Sequence, residues 1–155
     1  AGIAAVRPGV KFSDVHDAAI RVIAENLLAW GLLPEGVDVE ATLDKEHGHF
    51  HRRWMVHGTS HHLGLDVHDC ALARRDEYME TELLPGMILT VEPGLYFKAD
   101  DLLVPVELRG IGVRIDDDIL VTREGCENLS AAMPRRSTDV EAWIARLQSG
   151  QAVRG

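Results

Sequence analysis

Apolar residues recur at helical spacing through Val15, Ala19, Val22, Ile23, Leu27 and Trp30, and Gly31 closes the run. Ser13 reads as the N-cap, with Asp14 and Asp17 in the first turn, where acidic groups favour the helix dipole. The spacing predicts one long amphipathic helix with His16 on its solvent side. Ala1 to Val6 is a shorter helical piece that Arg7-Pro8-Gly9 ends, and Asp38 caps another reaching about Lys45. Extended elements follow a period of two. Leu63, Leu65 and Val67 alternate with Gly64, Asp66 and His68, as in a half-buried strand. Ile88 to Val91 is β-prone and ends at Pro93-Gly94. In residues 110–122, GIGVRIDDDILVT, one face of a single strand carries Val113, Ile115, Ile119 and Val121; the other carries Arg114, Asp116 and Asp118. Cys70 to Leu84 is polar and reads as a connecting loop. After Pro134, Thr138 and Glu141 suggest a capping box for a last helix to about Leu147, burying Val140, Trp143 and Ile144, and 149–155 should fray. The fold class is α+β: one domain over 1–148, with helices on one face of a curved, mainly antiparallel sheet.

The net charge of -9 leaves no Lys/Arg stripe to neutralise phosphates, which argues against nucleic acid as a partner. No apolar run approaches the roughly 20 residues that span a bilayer, and no secretory leader opens the chain, so the expected setting is cytoplasmic. Cys70 and Cys126 lie far apart without a CxxC, and free thiols are expected. The opening AGIAAVRPGV, without an initiator Met, reads as the end of a helix from a longer protein.

Chemistry concentrates in WMVHGTSHHLGLDVHD, residues 54–69. Seven of the eight histidines fall between His47 and His68, and imidazole is both a common metal ligand and an acid/base near neutral pH. His47, His49 and His51 read as solvated loop residues. His57, His61 and His68 sit among small residues beside the alternating segment, where a metal site could hold them. Glu92 ends an apolar strand; it either faces solvent from an edge or has a chemical task, since burying a lone carboxylate costs several kcal/mol. Arg114, Asp116 and Asp118 form either a solvated face or an Arg-braced carboxylate. Together these residues suggest a divalent metal, Mn²⁺-like or zinc, and hydrolysis in which the metal acidifies a water.

The motifs HGTSHHLGLDVHD, LTVEPGLYF and GIGVRIDDDILVT closely resemble the aminopeptidase P (Xaa-Pro aminopeptidase) family of pita-bread metallopeptidases, which also include prolidase. The resemblance implies half of a pita-bread fold and removal of an N-terminal residue that precedes proline, at two Mn²⁺ ions bridged by hydroxide. On that pattern His61, Glu92 and Asp116 match metal ligands, with Glu92 also the proton acceptor. His57 and His68 match histidines that orient the peptide and stabilise the tetrahedral intermediate, and Arg114 matches an arginine behind the metal site. His62 stands where the family has a bulky aromatic and receives no metal role. The chain departs from the pattern twice. The two further aspartates of the family's site have no counterpart upstream of His61, so the chain alone should be weakly metallated and nearly inactive, and should pair with the missing half or with another copy. Asp116 replaces the family's Glu, which draws the carboxylate back by ~1.5 Å. A dipeptidase of the prolidase type and a non-catalytic peptide-binding module are the competing functions.

Overall fold

The computed structural model describes residues 1–69 and 74–150. Helix α2, Phe12–Ala29, is the spine. It begins one residue before Ser13, because Lys11 is the N-cap: the Lys11 N–H donates to the Asp14 carboxylate (2.9 Å), and the Asp14 N–H donates to the Lys11 carbonyl (3.0 Å). It ends as expected. Gly31 adopts φ 69°, and the N–H groups of Leu32 and Gly31 return to the carbonyls of Leu27 and Leu28. Val15, Ala19, Ile23 and Leu27 are buried, whereas Val22 and Trp30 face outward.

The short elements are α1 (Gly2–Ala5), α3 (Val39–Leu43), α4 (Arg75–Glu80) and α5 (Ser137–Gln148). Asp38 caps α3 through its carboxylate and the Ala41 N–H. Helix α4 occupies part of the segment expected to be a loop. Asp76 and Glu77 favour its N-terminal turn, and Tyr78 packs on Phe12 and His62, a tertiary contact invisible to polarity alone. Helix α5 forms where expected, but Arg136 is its N-cap, Thr138 makes no capping bond, and none of Val140, Trp143 or Ile144 is buried. Of the expected frayed tail, residues 151–155 lie outside the described residues, as does Cys70. Cys126 is a free, half-buried thiol, and burial raises its pKa.

Strands β1 (His62–Leu63), β2 (Ile88–Val91), β5 (Asp117–Val121) and β6 (Cys126–Asn128) form an antiparallel sheet in the order β1-β2-β5-β6. Strands β3 (Gly94–Tyr96) and β4 (Gly112–Arg114) pair separately. Two expected strands are therefore shorter than the alternation implied. The chain leaves β1 after Leu63, where the Asp69 carboxylate packs against the Gly64 α-carbon. Leu65, Val67 and His68 are exposed. Residues 110–122 form two strands, not one, because the chain passes from one sheet to the other at Ile115-Asp116. Ile119 and Val121 are buried, while Val113 and Ile115 are exposed.

Pairing of Leu89 with Ile119 and Val91 with Asp117 puts Leu89, Val91, Ile119 and Val121 on one face. There they pack with Val6, Phe12, Val15 and Leu83. A second cluster joins Ile20, Ile23 and Leu27 of α2 to Trp54, Met55, Phe97 and Val104. Asp101 closes it, accepting from Arg53 Nη2 (2.8 Å) and Nε (3.0 Å) and from the Trp54 indole N–H (3.2 Å), and the Arg53 guanidinium holds its carboxyl down at about 2. Among the described residues, no helix is long and apolar enough to cross a membrane.

His51 departs from the solvated reading. The 3₁₀ turn Phe50–Arg53 turns it inward to 1% exposure against the rings of His16 and His49, and its Nδ1 has no hydrogen-bond partner. Burial, then the neighbouring His16, His49 and Arg52, lowers its pKa to about 4. A histidine with a depressed folded pKa stabilises the fold above its unfolded pKa of ~6.5 and loses that contribution as pH falls. Thermal unfolding followed from pH 7 down to pH 4 should therefore show a progressive loss on the order of 3 kcal/mol, and His51→Phe should flatten that slope. An unchanged slope in the variant would assign the acid sensitivity to other groups.

Candidate functional site

Strand alternation creates the site. Leu89 and Val91 face the helices, so Thr90 and then Glu92 face the opposite side of β2. The Glu92 N–H donates to the Thr59 carbonyl (2.7 Å), which ties the end of β2 to the loop between His57 and His61. Thr90 is buried, and its hydroxyl accepts from the His61 N–H (3.1 Å) and donates to Glu92 Oε1 (3.2 Å). One threonine thus ties the main chain of His61 to the carboxylate of Glu92.

The His61 Nδ1–H donates to the His62 carbonyl (3.1 Å), leaving the Nε2 lone pair outward. Nε2 lies 3.2 Å from Glu92 Oε1. Two electron-rich atoms at that separation are attractive only across a positive centre, a shared proton or a metal ion. The pair fits a divalent metal by its donor chemistry. The other Glu92 oxygen meets Arg114 Nη1 at 3.4 Å, so Arg114 braces Glu92, not the aspartate on its own face. Glu92 is only 12% exposed, against 50% for Arg114.

Asp116 occupies the corner between β4 and β5 instead of a strand. As a residue it is exposed, yet desolvation of its carboxyl, and next the Glu92 carboxylate, raise its pKa, while Arg114 and His61 oppose that. Among the described residues, no three His, Cys, Asp or Glu side chains are placed to hold a metal ion. The expected trio is therefore a close His61/Glu92 pair with Asp116 at the corner beside it. The His68 ring stands edge-on to His61, centroids 4.6 Å apart, on the exposed side. His62 is buried between Phe12 and Tyr78. His47 is solvent-exposed, as expected.

Two residues went unrecognised in the sequence. Tyr96 places its hydroxyl 2.8 Å from His57 Nε2. Because the His57 Nδ1–H donates to the Gly58 carbonyl (2.7 Å), Nε2 accepts from the tyrosine. The alternation in LTVEPGLYF gave no reason to single out this ring over Phe97. His16, expected at the surface, is half-buried with Nδ1 2.8 Å from Thr59 Oγ1. The spacing of His16 from Val15 and Ala19 hinted at this, since it borders the buried stripe.

The model of metallopeptidase family M24 matches residues 1–123. The chain belongs to that family. This M24 chain is 62% identical over 148 residues to Xaa-Pro aminopeptidase 1 of Streptomyces coelicolor, a match covering 96% of the chain and 29% of the relative. It therefore spans under a third of that relative's length. Among solved structures it resembles Pseudomonas aeruginosa aminopeptidase PepP (TM-score 0.82, 38% identity, 96% of this chain and 32% of that one). It also resembles zinc-substituted E. coli aminopeptidase P in complex with product (TM-score 0.80, 39% identity, 93% and 31%). The M24 chain thus carries part of the pita-bread fold, with its antiparallel sheet unclosed.

Gly94 lets Tyr96 reach His57: a Cβ there would lie 2.6 Å from the tyrosine hydroxyl. Tyr96→Phe and Gly94→Ala should both shift the nitrogen NMR resonance of His57 Nε2 while leaving that of His61 in place. An unmoved His57 signal in both variants would show that the hydroxyl does not set that imidazole.

Proposed function

We propose that this chain is part of a Xaa-Pro aminopeptidase, supplying the proton acceptor and the substrate-facing histidines for release of an N-terminal residue that precedes proline. The observation that carries the reading is the 3.2 Å approach of His61 Nε2 to Glu92 Oε1 in a member of a metallopeptidase family. His61, Glu92 and Asp116 are the proposed metal donors, for two Mn²⁺ ions in the complete protein, with zinc as the alternative. When bound, such ions supply an acidified water and polarise the scissile carbonyl. The chain's own groups have separate tasks. Glu92, held by Thr90 and braced by Arg114, accepts a proton. His57, whose Nε2 accepts from the Tyr96 hydroxyl, and His68, on the exposed side, orient the peptide, and His68 donates to developing negative charge.

The lack of a three-donor group among the described residues supports a chain that, alone, binds metal weakly and cleaves little. The exposed apolar residues Ile111, Val113 and Ile115 near the site support docking of the remainder of the protein, or of another copy, on that face. Asp116, shorter than the Glu of the resemblance, gives the non-catalytic peptide-binding module its one specific support. Prolidase-type specificity would show as cleavage confined to dipeptides.

In the full-length protein, Glu92→Gln should lower cleavage of an Xaa-Pro peptide by at least about a hundredfold. Retained activity would remove Glu92 from its role, and a wild-type protein that binds such peptides without cleaving them would favour the non-catalytic module. Asp116→Glu should raise Mn²⁺ affinity by about tenfold in a calorimetric titration; unchanged affinity would mean the corner has already adapted to aspartate.

A further inference from the structure

Thr59 is fully buried midway between His57 and His61, and its carbonyl is the acceptor for the Glu92 N–H. Its other two polar groups meet a single atom. The Thr59 N–H points at His16 Nδ1 at 3.3 Å, and Thr59 Oγ1 lies 2.8 Å from the same nitrogen. An amide N–H can only donate, so Nδ1 is an acceptor and the imidazole proton sits on Nε2. The hydroxyl then donates as well, and one ring nitrogen clasps both donors of one residue. Burial lowers the pKa of His16, which agrees with a neutral ring.

We propose that His16 is a positioning residue for the peptidase site: acting through Thr59, it fixes the loop that carries His57 and His61 and, with it, the main chain of Glu92. Helix α2 is a suitable reference frame, because its buried stripe joins both apolar clusters and does not depend on this hydrogen bond. Without the Nδ1 acceptor, the Thr59 N–H and hydroxyl would both be buried unpaired. The loop would have to shift to find other acceptors, and the Thr59 carbonyl would move away from Glu92. A displacement of well under an ångström at a proton acceptor is enough to lower turnover. Only the activity measurements below rest on the function proposed above.

The test uses the full-length, metal-loaded protein. His16→Leu keeps bulk and removes the acceptor; His16→Asn returns an oxygen near the place of Nδ1; Thr59→Val removes the hydroxyl alone. Hydrogen exchange of the Glu92 amide is read first, then kcat and KM on an Xaa-Pro peptide, with Tm recorded for each variant. In His16→Leu the Glu92 amide should exchange at least about tenfold faster, and kcat should fall by a similar factor with little change in KM. His16→Asn should recover both, and Thr59→Val combined with His16→Leu should be no worse than the poorer single variant. Wild-type exchange at Glu92 in His16→Leu, absence of rescue by Asn at equal Tm, or additive losses would overturn the proposal. If His16→Leu does not fold, Thr59→Val against His16→Asn decides the matter. A full-length protein without peptidase activity would sink the proposed function, while the exchange measurement would still judge the clasp.

Discussion

Strand β2 pairs with β5 so that Leu89 lies opposite Ile119 and Val91 opposite Asp117, and core and site are both consequences of that register. The odd-numbered residues supply the apolar face against α2. The even-numbered Thr90 and Glu92 supply the polar face. A slip of one residue would exchange the two sets and drive the Glu92 carboxylate into the cluster around Phe12 and Val15, at a cost of several kcal/mol. The same slip would expose Leu89 and Val91, each at most 4% exposed in the fold. Hydrophobic burial therefore sets where the carboxylate points, although the carboxylate contributes nothing to that burial.

The second constraint is the passage from β4 to β5. Asp117 begins β5 and is buried, held by the Arg135 guanidinium and by the Ser130 hydroxyl at 2.8 Å. Ser130 in turn receives the Asp118 N–H at its hydroxyl (3.0 Å). The arginine lowers the Asp117 pKa, as a charge-assisted fork to a carboxylate should. This anchor fixes the first residue after the corner, while β3 fixes the last residues before it, up to Arg114. Asp116 is left on the short free link between two fixed ends.

Much of this was legible in the chain. The helical period over α2, the Asp38 cap, the four-residue run ILTV and its breaker Pro93-Gly94 all correspond to elements whose burial is decided locally. Period-two alternation proved less informative in the two longer segments. It records which side chains can share a face but not where a strand changes partner, so GIGVRIDDDILVT read as one strand although its halves belong to different sheets. The alternation of Leu63, Leu65 and Val67 failed for a related reason: the chain turns at Gly64, and among the described residues no strand pairs with Leu65 or Val67. Of the site, the candidate residues could be named from type and spacing, but not their hydrogen bonds. His16 is 43 residues from Thr59, and His57 is 39 from Tyr96; contacts at such separations leave no periodic trace.

His57 and His61 show what three-dimensional placement adds to residue type. Both rings spend Nδ1–H on a main-chain carbonyl, of Gly58 and His62 respectively, so both present Nε2 to the site. What faces that nitrogen separates them. His57 meets a hydroxyl that can donate, giving a neutral hydrogen bond satisfied within the protein. His61 meets a carboxylate that can only accept, and this pairing is satisfied by a proton or a cation between the two atoms. The first arrangement fixes an imidazole against a partner within the protein, and the second leaves a pair of atoms that only positive charge between them would satisfy. Two histidines four residues apart in HGTSH, equivalent in composition and in tautomer, are thereby given different surroundings by a tyrosine and a glutamate on either side of Pro93-Gly94.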